Sequence, residues 1–278
     1  MHVLILGGGD LASGVALRLF RSGLQVFITE LHQPLVVRRL VSFAEAVYSG
    51  KTSVEEVTAR RAENVPHGLS LIEQGFIPVL ADPEADCLSE LSPSVLIDAR
   101  MIKRSPEYDK EIAQFVIGLG PGFSAGVNCH AAVETNRGHH LGRVVWRGAL
   151  EADTGIPEEV MNRRAERVLR SPADGVLTTF VDIKERVGAG ELIAEVAGEQ
   201  VLAPFDGVLR GIMHPGIFVQ QGRKIGDVDP RGDPSYCTQV SDKSLAIAGG
   251  VLEAILSRPE LRSKLWNTHE ISASTSDR

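Results

Sequence analysis

Residues 3–12 read Val-Leu-Ile-Leu-Gly-Gly-Gly-Asp-Leu-Ala, and the fold follows from how that stretch is read. Val3 to Leu6 is an apolar run of strand length with no charge to place. Gly7, Gly8 and Gly9 supply a tight turn, because glycine takes backbone conformations that other residues avoid. After Asp10, the residues Leu11, Val15, Leu17 and Leu19 carry an apolar face as far as Arg21, and Gly23 stops the helix. Gln25 to Thr29 is the next strand and Glu30 ends it.

Working outward, later apolar runs at Ile77 to Leu80, Val95 to Ile97 and Phe115 to Ile117 extend the same sheet. Alternating strand and helix signals predict a parallel sheet with helices on its faces. Gly7, Gly9 and Ala12 match a dinucleotide-binding turn, and Glu30 stands at the end of the second strand, where that fingerprint places its acid. Glycines there allow close approach, the helix N-terminus receives pyrophosphate, and the acid takes ribose hydroxyls. Asp10 argues the other way. A carboxylate beside a phosphate cradle repels pyrophosphate, or caps the helix with the N–H groups a phosphate would use. A vacant Rossmann-like scaffold is therefore the alternative.

The chain has 278 residues, enough for about two domains. A net charge of −7 argues against a nucleic-acid binder, which needs a basic face. Three scattered cysteines form no disulfide framework and no paired metal-ligand spacing, which fits a reducing cytoplasm. The start at a strand predicts no leader peptide. The longest mostly apolar run, Leu245 to Leu256, is too short to span a membrane.

A second unit contains a repeat. Pro172-Ala-Asp-Gly-Val-Leu177 recurs as Pro204-Phe-Asp-Gly-Val-Leu209. The same offset relates Val187 to Val219 and Gly190 to Gly222. Short strands with glycine turns in a repeated frame predict two interlocked halves of one small β structure. The pattern resembles the barrel-sandwich hybrid of biotinyl and lipoyl domains. The hairpin Ala197-Gly-Glu-Gln200 lacks the lysine such carriers modify. The breaker-rich 229–234 segment reads as a linker, Asp229 in it and Asp227 just before it cap turns, and Ser241 or Asp242 opens a terminal helix. The expected division is a Rossmann-like domain over 1–160, the barrel over 165–232, linker and helix over 233–262, and a disordered tail over 267–278.

A second glycine loop, Gly118 to Gly122, follows the strand at Ile117. Gly118, Gly120 and Gly122 are candidates to approach a ligand, so that a nucleotide would lie between the two loops. Cys129 follows, a candidate nucleophile or chalcogen carrier, with a small buried cysteine as the alternative. His130 and Glu134 are candidate acid/base groups, although neighbours on a strand point to opposite faces and Glu134 can equally pair with Arg137. Asp98 and Arg100 lie just past Val95 to Ile97, where open sheets gather ligand-binding groups; with Arg137 and His139 they are candidate substrate contacts. Cys129, His139 and His140 are weak metal ligands, and no metal is expected.

Seven segments together resemble a known family. They are Gly9-Asp-Leu-Ala-Ser-Gly14, Arg38-Arg-x-Val-x-Phe43, Gly118-Leu-Gly-Pro-Gly-Phe123, Val133-Glu-Thr-x-Arg-Gly-His139, Asp153-Thr-Gly-Ile-Pro157, Lys224-Ile-Gly-Asp-x-Asp-Pro-Arg231 and Ser241-Asp-Lys243. That family is the bacterial one associated with maturation of selenium-dependent molybdenum hydroxylases. The resemblance implies a cytoplasmic accessory protein whose partner is a molybdenum hydroxylase or its maturation machinery, and it brings no agreed catalytic residue. NAD and a molybdopterin dinucleotide are the candidate cofactors. The alternatives are an NAD-dependent oxidoreductase and a binding scaffold without chemistry. A homo-oligomer is compatible with either.

Overall fold

The computed structural model describes residues 1–152 and 166–265. The expected Asp153–Pro157 motif and the tail from Asn267 lie outside the described residues.

The first unit begins β1 (His2–Leu6), α1 (Asp10–Arg21), β2 (Gln25–Glu30). A short helix α2 (Ala46–Ser49) leads into a hairpin, β3 (Lys51–Val54) and β4 (Val57–Ala62). Then come α3 (Val65–Glu73), β5 (Ile77–Ala81), α4 (Leu88–Leu91), β6 (Val95–Asp98) and β7 (Phe115–Leu119). A two-stranded sheet pairs β8 (Ser124–Ala125) with β11 (Gly148–Ala149). Between these in sequence lie β9 (Ala131–Val133) and β10 (Val144–Val145).

Nine of these strands form one sheet in the order β10-β9-β7-β6-β1-β2-β5-β4-β3. The strands from β9 to β4 run parallel, and both outermost strands are antiparallel to their neighbours. β1 is buried on both faces, which explains its unbroken apolar run. Val3 and Ile5 face one core and Leu4 and Leu6 the other. On the first face α1 packs, and against it lies α5 (Asp242–Leu256) from the far end of the chain. The two helices meet at Gly14, where a Cβ would lie 2.6 Å from Ser244 Cβ. On the other face α3 sits over Phe27, whose ring fills the space left by Gly68.

The repeat unit holds two four-stranded antiparallel sheets. One orders β12 (Val168–Arg170), β19 (Lys224–Asp229), β17 (Gly207–Ile212) and β14 (Arg186–Val187). The other orders β16 (Glu199–Leu202), β15 (Leu192–Val196), β13 (Gly175–Thr179) and β18 (Phe218–Val219). Each half lends a strand to the other's sheet. Val187 pairs with Gly207 and Val219 pairs with Gly175, so the repeat-related residues make the same contact in exchanged roles. Leu35, Val37, Leu40 and Tyr48 of the first unit pack onto this core.

The expected fold class is corrected by this topology. In place of a parallel Rossmann-like sheet and a biotinyl/lipoyl-type barrel-sandwich hybrid there is a large mixed sheet and a pair of antiparallel sheets. The added hairpin, residues 51–62, escapes a reading based on apolar runs because it is an edge rich in Lys, Ser, Thr and Arg. Asp227 is also corrected, while Asp229 caps its turn as expected, its carboxylate accepting the Arg231 amide at 3.0 Å, and takes on ion pairs besides. Both are fully buried, where Asp227 receives Arg167, Arg210 and Lys224, and Asp229 receives Arg231 and Arg210.

Candidate small-molecule site

The polypeptide runs from β1 outward to β2, then returns to the opposite side of β1 as β6. The connections that follow these strands therefore diverge, and a crevice opens at the strands' C-terminal ends. A cavity of about 420 Å³ occupies it. Leu6, Gly7, Gly9, Asp10, Leu11 and Ala12 form one side. Thr29, Glu30, Asp82 and Pro83 line it from the ends of β2 and β5, and Ala99, Arg100 and Met101 from beyond β6. Leu31, Leu35 and Val36 complete the walls.

The three glycines of the turn have different tasks. Gly7 has φ +90°, a left-handed conformation in which a side chain is strained. Gly8 packs on Ala44: a Cβ would lie 2.9 Å from the Ala44 nitrogen. Gly9 faces the cavity, where a Cβ would meet only Val36 Cγ1 at 3.6 Å. Ser13 ties the turn down from below, donating to the Gly8 carbonyl at 3.0 Å and accepting from the Phe43 amide at 2.7 Å.

Gly9 caps α1 without a side-chain bond to the helix amides. The first amides of a helix lack intrahelical partners, and the helix dipole makes that end positive. Asp10 does not fill the role. Its carboxylate is turned to Arg38, 3.3 Å from Nη1. The expected conflict between Asp10 and an anion at this turn is thereby corrected.

Glu30 lies across the cavity. One carboxylate oxygen accepts the Gly8 amide at 2.7 Å and the other the Leu31 amide at 2.7 Å. Burial pushes its pKa up, and the two amide bonds oppose that rise. Arg100 is held by Asp98, with Nε at 3.0 Å from one oxygen and Nη2 at 2.6 Å from the other. Asp98 is fully buried and also accepts from the Tyr108 hydroxyl at 3.0 Å. Asp98 thus positions Arg100, and Arg100 itself lines the cavity. Asp82 lines it too, but its carboxylate accepts the Asp86 and Cys87 amides.

The structure therefore brings together Gly7, Gly9, Asp10, Ala12, Glu30 and Arg100. It separates the second glycine loop from them. Gly118, Gly120 and Gly122 are not in the lining. A Cβ on Gly118 would strike the Phe123 ring, and one on Gly122 the Arg104 carbonyl. Gly120 sits 3.1 Å, measured from its would-be Cβ, from Met101 Cα. These glycines serve close packing, and the expected site between two loops is corrected to a cavity beside the first loop alone.

The remaining candidates also lie outside the cavity lining. Cys129 is fully buried, and burial pushes its thiol up to about 11. His130 Nδ1 accepts the Val116 amide at 3.0 Å, and burial lowers its pKa. Glu134 is buried and accepts the amides of Thr135, Asn136 and Glu151, which organises a turn. Arg137 makes a two-pronged bridge to Asp242 at 2.8 Å on both arms. His139 is exposed, its ring edge-on to His140.

Met101, Asp82, Val36 and Arg38 are parts of the site that sequence reasoning missed. Asp82 carried a usable signal, since it follows the apolar run at Ile77 to Leu80. Arg38 carried none, because its place beside Asp10 depends on tertiary packing. Among the described residues no group of three or more His, Cys, Asp or Glu could hold a metal ion. Among them, too, no helix is long and apolar enough to cross a membrane.

No known protein-family profile matches the chain. It is 45% identical to YqeB of Escherichia coli strain K12, an uncharacterized protein, over 254 residues. The match takes in 91% of this chain and 47% of YqeB. The chain spans about half the length of the curated relative it matches. Among solved structures, a succinylglutamate desuccinylase/aspartoacylase from Rhodobacter sphaeroides is 23% identical at a TM-score of 0.22, over 24% of this chain and 22% of that one. The product-bound ectoine utilization protein EutE (DoeB) from Ruegeria pomeroyi is 12% identical at 0.23, over 81% and 56%. An aspartoacylase family protein from Mesorhizobium loti is 10% identical at 0.25, over 82% and 83%.

At such TM-scores these proteins lend no chemistry to this chain. Neither they nor YqeB bear a molybdenum, selenium or nicotinamide function in their names. The Rossmann-like scaffold is corrected by the mixed sheet with its antiparallel outer strands, and the readings as a molybdenum hydroxylase maturation factor and as an NAD-dependent oxidoreductase are set aside with it.

Proposed function

We propose that this chain binds a small hydroxylated anion in the crevice at the end of β1. The anionic group, a phosphate or a carboxylate, sits on the amides at the start of α1, near the Arg100 guanidinium. The hydroxyl groups donate to Glu30. Apolar walls at Leu35, Val36 and Pro83 flank these polar contacts. The observation that carries the reading is the open helix end. Gly9 offers it no side-chain cap, and Asp10 is held away by Arg38.

Binding is the reading because the Glu30 and Asp82 carboxylates of the lining are each held by two backbone amides and Asp10 and Arg100 are each held in an ion pair. Calorimetric titration with ribose 5-phosphate and with gluconate tests it, and separates a phosphate from a carboxylate ligand. At least one should give saturable one-to-one binding. Gly9→Val, which fills the seat where the cavity is open, should abolish it while leaving thermal unfolding cooperative. Silence from the wild type toward both compounds at millimolar concentration would sink the proposal.

A further inference from the structure

We infer that Arg38 is a positioning residue that keeps the anion seat of α1 open by holding the Asp10 carboxylate away from it. The inference rests on the reading of the crevice as an anion site.

The geometry is asymmetric. Arg38 is fixed, while Asp10 is drawn to it. The Arg38 side chain is 9% exposed, whereas that of Asp10 is 31% exposed. Nη2 of Arg38 donates to the Tyr236 carbonyl at 3.0 Å and to the Gln239 carbonyl at 3.0 Å. Those carbonyls belong to the segment between β19 and α5. It crosses back from the repeat unit and pins the guanidinium from far along the chain. The Arg38 backbone is held as well, since its carbonyl accepts the Ser42 hydroxyl at 2.8 Å. Nη1 reaches Asp10, and Nε is buried without a partner among the described residues.

Asp10 is the first residue of α1 and lines the cavity. A carboxylate in the first helical turn is attracted by the positive helix end. Released from Arg38, it would compete for the seat and repel an incoming anion. A guanidinium stays charged at any ordinary pH, so the restraint is permanent. The site's preference for an anion is thus set by a residue that does not line the cavity. The arginine also links that preference to the packing of the repeat unit and α5 on the first unit.

The test uses Arg38→Gln, whose amide can still donate to the carbonyls of Tyr236 or Gln239 but carries no charge for Asp10. Binding is compared for ribose 5-phosphate and for neutral ribose. The anion should bind about tenfold more weakly, the size expected of one charge at a partly buried helix end. Ribose should be affected less than twofold. Adding Asp10→Asn in the Arg38→Gln background should bring the anion back to within about threefold of wild type. Equal weakening for both probes, or no recovery in the double variant, would mean that Arg38 is only structural and would overturn the inference. If Arg38→Gln does not fold, Arg38→Lys serves. Having kept the charge, it should retain the wild-type ratio of anion to ribose affinity, and a tenfold fall in that ratio would overturn the inference. If gluconate is the anion that binds, it replaces ribose 5-phosphate in this comparison, with neutral glucitol in place of ribose. Failure of the wild type to bind ribose 5-phosphate and gluconate alike would instead strike the crevice reading itself.

Discussion

Glu30 accepts the backbone amide of Gly8 at 2.7 Å, closing the turn between β1 and α1 onto the end of β2. The same carboxylate forms a wall of the cavity, so one group both shapes the turn and meets the ligand. Its titration should therefore be visible in stability and in binding. In the unfolded chain Glu30 titrates as an ordinary carboxylate; in the fold burial raises its pKa. Between the two values the folded protein keeps a proton that the unfolded chain has lost. Its contribution to stability thus falls as pH rises through that interval and is level above it.

Binding runs in the opposite sense. An ionised Glu30 is the better acceptor for a ligand hydroxyl, so affinity for ribose 5-phosphate should rise as pH rises through the raised value. Calorimetry from pH 4 upward measures this, with buffers matched for ionic strength. Glu30→Gln should flatten the rise that exceeds the ligand's own phosphate titration. An identical pH profile in the variant would remove Glu30 from the site.

The glycines of the repeat separate two causes of glycine use. At Gly207 a Cβ would lie 2.7 Å from the Asp229 carbonyl oxygen, and at Gly175 it would lie 2.9 Å from Ala197 Cβ. Asp229 stands to Ala197 in the repeat as Gly207 stands to Gly175, so the crowding obeys the repeat. Gly222 has φ +78° and open space around it. Alanine at Gly222 should cost about 1 kcal/mol, for backbone strain alone. Alanine at Gly207 or Gly175 should cost roughly 1–3 kcal/mol through overpacking. Urea midpoints rank the three, and a Gly222→Ala midpoint at or below that of Gly207→Ala would contradict the assignment.

The segment from His2 to Glu30 is legible in the sequence because its physics is local. An apolar strand, a glycine turn and an amphipathic helix each declare themselves over a short span. The repeat is legible because identical turn chemistry recurs at Pro172–Leu177 and Pro204–Leu209. The hairpin β3–β4 is not, since an edge strand has little apolar pattern to show. Nor is the docking of α5 on α1, which rests on the fit of Gly14 to Ser244 between opposite ends of the chain. The part of the candidate site built on the first turn and on Glu30 and Arg100 can be read from the sequence. The second glycine loop misleads because glycine serves close packing as readily as ligand approach, and sequence alone does not separate the two.

Cys129 illustrates the same limit. Its position between a glycine loop and cationic residues suggests a thiolate, yet the thiol is fully buried with its pKa raised to about 11. In the folded protein it should resist iodoacetamide at pH 7.5 on the hour scale and react only on unfolding. Mass spectrometry of the labelled protein reads this directly. Rapid modification of Cys129 under native conditions would show the strand end to be open.

The most direct test of the account is an amide NMR titration of the wild-type protein with ribose 5-phosphate, or with gluconate if that is the anion found to bind. The account expects saturable shifts at Gly9, Asp10, Leu11 and Ala12, with Gly8 and Leu31 following as Glu30 adjusts, and quiet signals at Gly118, Gly120 and Gly122. Saturable shifts confined to Gly118–Gly122 or to the repeat unit, with the start of α1 unmoved, would contradict it.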